Sequence, residues 1–139
     1  MESIRPFTIM VADDDDEDRA LFQEIFQHDE RFTLTCCLTS GVEVFDEISR
    51  KKNIPDVLLV DMYMPFFTGV DLVKALAELH AAPTMYKFVI STTSNISENE
   101  EQLDSPYIFF LKKPVSMKEI NALPSLILGY MEQRFAKVS

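Results

Sequence analysis

Cysteine is nearly absent from this chain: it has two, Cys36 and Cys37. They are adjacent in a stretch that reads as a strand, where neighbouring side chains point to opposite faces, so a bridge between them is not expected. No second Cys/His cluster accompanies them, which argues against thiolate redox or metal chemistry and suits a reducing cytoplasm. Long apolar runs are also missing. No window is apolar for long enough to span a bilayer, and the amino-terminal MESIRPF has no apolar run behind a basic segment, so neither anchor nor signal peptide is expected. Basic residues are few, 13 Lys and Arg against 23 Asp and Glu, giving a formal net charge of -10. Such a surface repels phosphate backbones and anionic lipid, so no nucleic-acid or membrane binding is expected of the chain alone; a partner with a basic face suits it. Repeats and low-complexity linkers are absent as well. With 139 residues, 47% hydrophobic and 26% charged, the chain reads as one globular domain over residues 1–139, with no output domain.

What is present is organised around Val57 to Gly69, VLLVDMYMPFFTG. Val57, Leu58, Leu59 and Val60 form an unbroken β-branched and aliphatic run, the pattern of a strand buried on both faces, and Asp61 ends it. Met64-Pro65 and Gly69 punctuate the loop beyond, leaving the carboxylate at the floor of an open loop. Phe7 to Ala12 is an earlier strand of the same kind, followed by the acids Asp13 to Asp18 and a helix marked by Ala20, Leu21, Phe22, Ile25 and Phe26. Asp15, Asp16, Glu17 and Asp18 read as helix starters. Phe32 to Leu38 is a second strand, and Ser40 caps a helix carrying Val44, Phe45 and Ile48 inward. Leu72, Val73, Leu76 and Leu79 mark a third helix, and Phe88 to Ile90 a fourth strand that ends in Ser91, Thr92, Thr93 and Ser94. Ser97 with Glu100 suggests a capping box for a short fourth helix, and Tyr107 to Leu111 is a fifth strand ending in Lys112-Lys113-Pro114. Ser116 and Glu119 cap a final helix in which Pro124 predicts a kink or a fresh start. Beyond it Leu126, Ile127, Leu128, Tyr130, Met131 and Phe135 cover more than one stripe. A helix lying flat on the sheet accounts for them, with a homodimer or partner contact as the alternative.

Five strands alternating with five helices predict an α/β, doubly wound parallel sheet covered on both faces. Ligands of such folds bind beyond the carboxyl ends of the strands, and right-handed crossovers bring Asp13-Asp14, Asp61, Ser91-Thr92 and Lys113 to that one edge. Clustered carboxylates are relieved by protonation or a divalent cation, and oxygen-only ligands favour Mg²⁺. Asp14 and Asp61 are the direct ligands, Asp13 acts directly or through water, and a backbone carbonyl near Tyr63 completes the shell. Lys113 and a hydroxyl at Ser91 or Thr92 suit the peripheral oxygens of a phosphoryl group, and Asp61 is a carboxylate nucleophile able to form an acyl phosphate. A calcium loop over Asp14, Asp16 and Asp18 is excluded, because Arg19 stands at the turn-glycine position and Ile25 at the bidentate-acid position.

VADDDDEDRALF, VLLVDMYMPFFTG, FVISTTS and FFLKKP, in that order, resemble the motifs of the receiver domains of two-component response regulators, and the likeness covers nearly all of the chain. The resemblance implies a flavodoxin-like sheet of order 2-1-3-4-5, that Asp61 accepts phosphate from a sensor histidine kinase or a histidine phosphotransfer protein, that Asp13 and Asp14 hold Mg²⁺, and that Lys113 contacts a phosphoryl oxygen. It matches Phe110 to an aromatic switch position and makes Lys113-Pro114 a candidate cis bond. Spacing back from Lys113 favours Ser91 as the switch hydroxyl; Thr92 fits if the intervening segment is one residue shorter. The function expected is a phosphorylation-dependent switch of protein contacts rather than a metabolic enzyme. An aspartyl-phosphate phosphatase would need a second acid where Tyr63 stands, and a phosphorylation-independent interaction module would have no use for an intact Asp14, Asp61 and Lys113. The acidic segment before the fifth strand, with Asp104-Ser105-Pro106, departs from the family pattern, as does bulky Tyr63. Phe66 and Phe67 either fold over the site or face a partner.

Overall fold

The apolar runs become five strands of one parallel sheet: β1 (Phe7–Ala12), β2 (Phe32–Leu38), β3 (Val57–Asp61), β4 (Tyr86–Ser91) and β5 (Ile108–Lys112), in the order β2-β1-β3-β4-β5. The computed structural model describes residues 5–92 and 105–138, residues 134–138 by their backbone alone. Four helices lie among the described residues: α1 (Asp16–Gln27), α2 (Gly41–Ser49), α3 (Gly69–Glu78) and α4 (Met117–Val138). Of the five helices expected, these four lie among the described residues, and the short helix expected after Ser97 falls outside them.

Strand alternation divides the core into two layers. Ile9, Val11, Val57, Leu59, Phe88, Ile90 and Leu111 face α1 and α4, which contribute Phe22, Phe26, Leu123, Ile127 and Met131. Met10, Ala12, Leu58, Val60 and Val89 face α2 and α3, which contribute Val44, Ile48, Leu72, Val73 and Leu76. A central strand clothed on both faces has no polar side to show, which is why β3 is buried at all five positions, Asp61 included. Aromatic rings fill the β4–β5 end of the first layer: Phe88 stacks on Phe109 with centroids 4.9 Å apart.

Two features break the regular pattern. The β1–β2 register slips between Ile9 and Met10, so that Thr35 is left over and its hydroxyl donates to the Ile9 carbonyl at 3.2 Å. This bulge puts Leu34 and Cys37 in one layer and Cys36 in the other, and both thiols are free. Of the kink or fresh start expected at Pro124, the fresh start does not occur, because α4 runs through it as one helix. Proline inside a helix costs about 3 kcal/mol. Burial on the same face of Ile120, Leu123, Ile127 and Met131 offsets that, each large apolar side chain contributing roughly 1.5–3 kcal/mol. Leu79, the last of the residues that mark the third helix, is the exposed cap of α3. No cis peptide occurs among the described residues, so the Lys113–Pro114 bond is trans. No helix among them is long and apolar enough to cross a membrane.

Candidate functional site

The sheet ladder continues one residue past three strand ends, and this fixes the site. Asp13 N–H donates to Leu38 O at 3.1 Å, Met62 N–H to Ile90 O at 2.8 Å, and Lys113 N–H to Ser91 O at 2.8 Å. Side chains at these ends are therefore held by backbone hydrogen bonds rather than by flexible loops. Asp13 is 0% exposed, Asp61 6% and Lys113 8%, an unusual density of buried charge that demands partners.

Asp13, Asp14 and Asp61 each place a carboxylate oxygen in a group whose members lie within 4.8 Å of one another. Asp14 is the solvent-exposed member and the other two form the floor. Asp13 is further pinned by the Asp15 N–H, which donates to its Oδ1 at 2.9 Å. The Lys113 ammonium lies 2.7 Å from Asp18 Oδ2, 3.0 Å from Asp13 Oδ2 and 3.7 Å from Asp61 Oδ1.

These contacts set the ionisation of the group. Burial pushes the Asp61 carboxyl up to about 6, reinforced by the charges of Asp13 and Asp14 and opposed by Lys113 and a hydrogen bond with the Tyr63 backbone. Asp13 is likewise raised by burial, against the pull of the Asp15 N–H and Lys113. Burial by itself would lower the Lys113 pKa; hydrogen bonds with Asp18 and Asp13, with the charges of Asp61 and Asp13, more than reverse this and hold it raised. The pocket thus keeps a permanent cation beside carboxylates that are short of compensating charge.

The loop after Asp61 is shaped by what it buries. Met62 and Met64 are buried, whereas Tyr63 and Phe66 are exposed, Phe66 with a positive φ of 67°. The choice left open for Phe66 and Phe67 is thereby resolved: Phe66 faces outward, and Phe67 turns in against Phe45 at a centroid distance of 6.1 Å. Gly69 closes the loop through its N–H to Met62 O at 3.0 Å. A Cβ there would stand 2.7 Å from the Asp61 carbonyl oxygen, so only glycine permits this approach. Thr68 then caps α3 by accepting the Asp71 N–H.

The two hydroxyls separate. Ser91 is the last residue of β4 and is 1% exposed. Thr92, the next residue, is exposed and lines a cavity of about 340 Å³ together with Asp18, Lys113 and Pro114. Phe110 is half-buried on β5, opposite Val89, in the layer facing α3.

Asp18 is the functional contact that sequence reading assigned to helix initiation alone. Asp15 does cap α1, accepting from Glu17 N–H and Asp18 N–H. The signal for Asp18 lay in the helix phase: it precedes Phe22 and Phe26 at four-residue intervals, on the stripe that faces the sheet.

Comparison with known proteins agrees with this architecture. Protein-glutamate methylesterase/protein-glutamine glutaminase 2 of Pseudomonas aeruginosa is 31% identical over 110 residues, covering 78% of this chain and 30% of that protein. Sensory/regulatory protein RpfC of Xanthomonas campestris pv. campestris is 25% identical over 131 residues, 91% of this chain and 17% of that one. The chain therefore spans less than a third of either relative. Among solved structures, the response regulator domain of Thermotoga maritima CheB superposes with a TM-score of 0.72 at 18% identity, covering 94% of this chain and 97% of that one. The receiver domain of AraT, a response regulator from Geobacillus stearothermophilus, gives a TM-score of 0.66 at 24% identity over 91% of this chain and 96% of that one. The model of the response regulator receiver domain matches residues 9–123. Because that span begins inside β1 and takes in every strand end that builds the acid pocket, the chain belongs to the response regulator receiver domain family of two-component signalling.

Proposed function

We propose that this receiver domain is a phosphorylation-operated switch in the cytoplasm, with Asp61 as the acceptor and a phosphohistidine of a sensor kinase or histidine phosphotransfer protein as the donor. The observation that carries the reading is the Asp61 carboxylate, buried at the end of the central strand with Asp13 and Asp14 within 4.8 Å and the Lys113 ammonium 3.7 Å away. An oxygen-only, negatively charged donor set of this kind fits Mg²⁺, held by Asp13, Asp14 and Asp61 with the Tyr63 carbonyl as a further ligand. When bound, the cation offsets the repulsion between the carboxylates and the charge of the entering phosphoryl group.

The chain's own residues do the rest. An Asp61 oxygen forms the new O–P bond as the P–N bond of the donor breaks, and the electron pair leaves on the imidazole, which takes up a proton from solvent. Burial strips water from Asp61 and holds it in line, so little reorganisation remains for the step itself. Lys113 supplies a fixed positive charge for a phosphoryl oxygen. The hydroxyl role falls to Ser91, favoured by spacing and held at the end of β4 with its carbonyl accepting the Lys113 N–H, or to Thr92 immediately after it. Movement of that hydroxyl toward the phosphoryl group would let half-buried Phe110 settle inward, a two-state element that changes the surface offered to a downstream protein.

Intact mass after incubation with Mg²⁺ and acetyl phosphate tests this directly. Wild type should gain one phosphoryl group, dependent on Mg²⁺, and Asp61→Asn should gain none. An adduct of equal size on the Asn variant would remove Asp61 from the role.

A further inference from the structure

Lys113 is shared unequally among three carboxylates. Its nearest is neither Asp13 at 3.0 Å nor Asp61 at 3.7 Å, but Asp18 at 2.7 Å, on the first turn of α1. An ammonium has three donors, and the contact with Asp61 is beyond hydrogen-bonding distance. The cation is thus drawn toward α1, away from the group it would serve in phosphoryl transfer. Asp18 is also the more exposed partner, with a side chain 31% accessible against 10% for Lys113, so its carboxylate can turn to water when the pair separates. The cavity beside it, lined by Leu21, Phe22, Val115 and Ile120, leaves room for that movement.

We propose that Asp18 is a positioning residue that latches Lys113 on the α1 side of the pocket, and that a phosphoryl group on Asp61 must compete with Asp18 for this cation. This rests on the acceptor role of Asp61. Its consequence is that phosphorylation frees the start of α1 from the β5–α4 loop, coupling the site to a face of the domain distinct from that of Phe110. The sign follows from charge. Removing the Asp18 carboxylate both releases the ammonium toward Asp61 and lowers the negative potential opposing an anion.

The test is equilibrium binding of beryllium fluoride with saturating Mg²⁺, a stable stand-in for the phosphoryl group, to wild type, Asp18→Asn, Asp18→Glu and Glu17→Gln, with thermal unfolding of each. Asp18→Asn should bind roughly three- to fivefold more tightly than wild type, the upper part of the range expected for loss of one competing ion pair. Asp18→Glu should restore near wild-type affinity. Glu17→Gln, which removes the same charge one residue away without touching Lys113, should change affinity less than about twofold. A purely structural tie between α1 and the β5–α4 loop would lower the unfolding temperature of Asp18→Asn and leave its affinity at the wild-type value, and that result would overturn the latch. Tightening by Glu17→Gln equal to that of Asp18→Asn would also overturn it, by assigning the effect to net charge. If wild type itself binds no beryllium fluoride, the acceptor role of Asp61 fails and the latch with it.

Discussion

Asp61 holds its charge at a cost, and that cost can be measured. Its carboxyl is raised from 3.8 to about 6 in the folded protein, chiefly by burial. Below about pH 4 the group is protonated in both states and contributes nothing. Between about pH 4 and 6 the unfolded chain has lost a proton that the folded chain keeps, so stability falls as pH rises through this window, by roughly 3 kcal/mol when complete. Asp61→Asn has no such proton. Without divalent cations it should be more stable than wild type at pH 7.5 by up to that amount, and the difference should vanish near pH 4. Urea unfolding at the two pH values checks this; equal midpoints for the two proteins at pH 7.5 would mean that Asp61 is already compensated.

Among the elements, the turn from β3 into α3 has the least tolerance. Gly69 stands where a Cβ would meet backbone on both sides, 2.7 Å from the Asp61 oxygen and 3.2 Å from the Met62 Cα. Backbone cannot step aside as a side-chain tip can, so Gly69→Ala should destabilise the domain by about 1–3 kcal/mol, seen as a lower urea midpoint with an unchanged slope. It should also reduce phosphoryl adduct formation, since the displaced carbonyl belongs to the acceptor residue. Retention of both wild-type stability and wild-type adduct yield would show that the turn relaxes more readily than its contacts imply. The glycine was visible in the sequence as loop punctuation. What it allows was not, because the close approach involves residues eight positions apart brought together by the loop's own closure.

For the molecule as a whole, an acidic surface surrounds an acidic pocket, so cation binding and stability are linked. If Mg²⁺ binds the folded protein alone, a concentration 100 times its dissociation constant stabilises by about 2.7 kcal/mol. In a domain of this size that raises the unfolding temperature by roughly 3 °C per kcal/mol. Wild type should therefore gain about 8 °C in Mg²⁺ and lose it in chelator, whereas Asp13→Asn and Asp61→Asn should gain much less. Potassium chloride matched for ionic strength separates this from screening of the net charge of -10, which acts on all three proteins alike. A rise in Mg²⁺ shared by both variants would place the cation somewhere other than the pocket.

By itself the sequence determined the strands, the parallel sheet covered on both faces and the convergence of Asp13, Asp14, Asp61 and Lys113 at one edge, because unbroken β-branched runs that stop at charged residues have few ways to fold. Among the described residues, three of the four helix starts were equally legible, since an N-cap at Asp15, Ser40 or Ser116 is a local event involving residues two or three apart. Tertiary structure alone decided which carboxylate holds Lys113, that Phe67 turns in while Phe66 turns out, and that α4 makes no fresh start at Pro124. Each of these depends on the depth and direction of a side chain relative to another layer, or on burial gathered from distant strands. Such quantities have no period along the chain, and they exist only once the sheet has brought its carboxyl ends together.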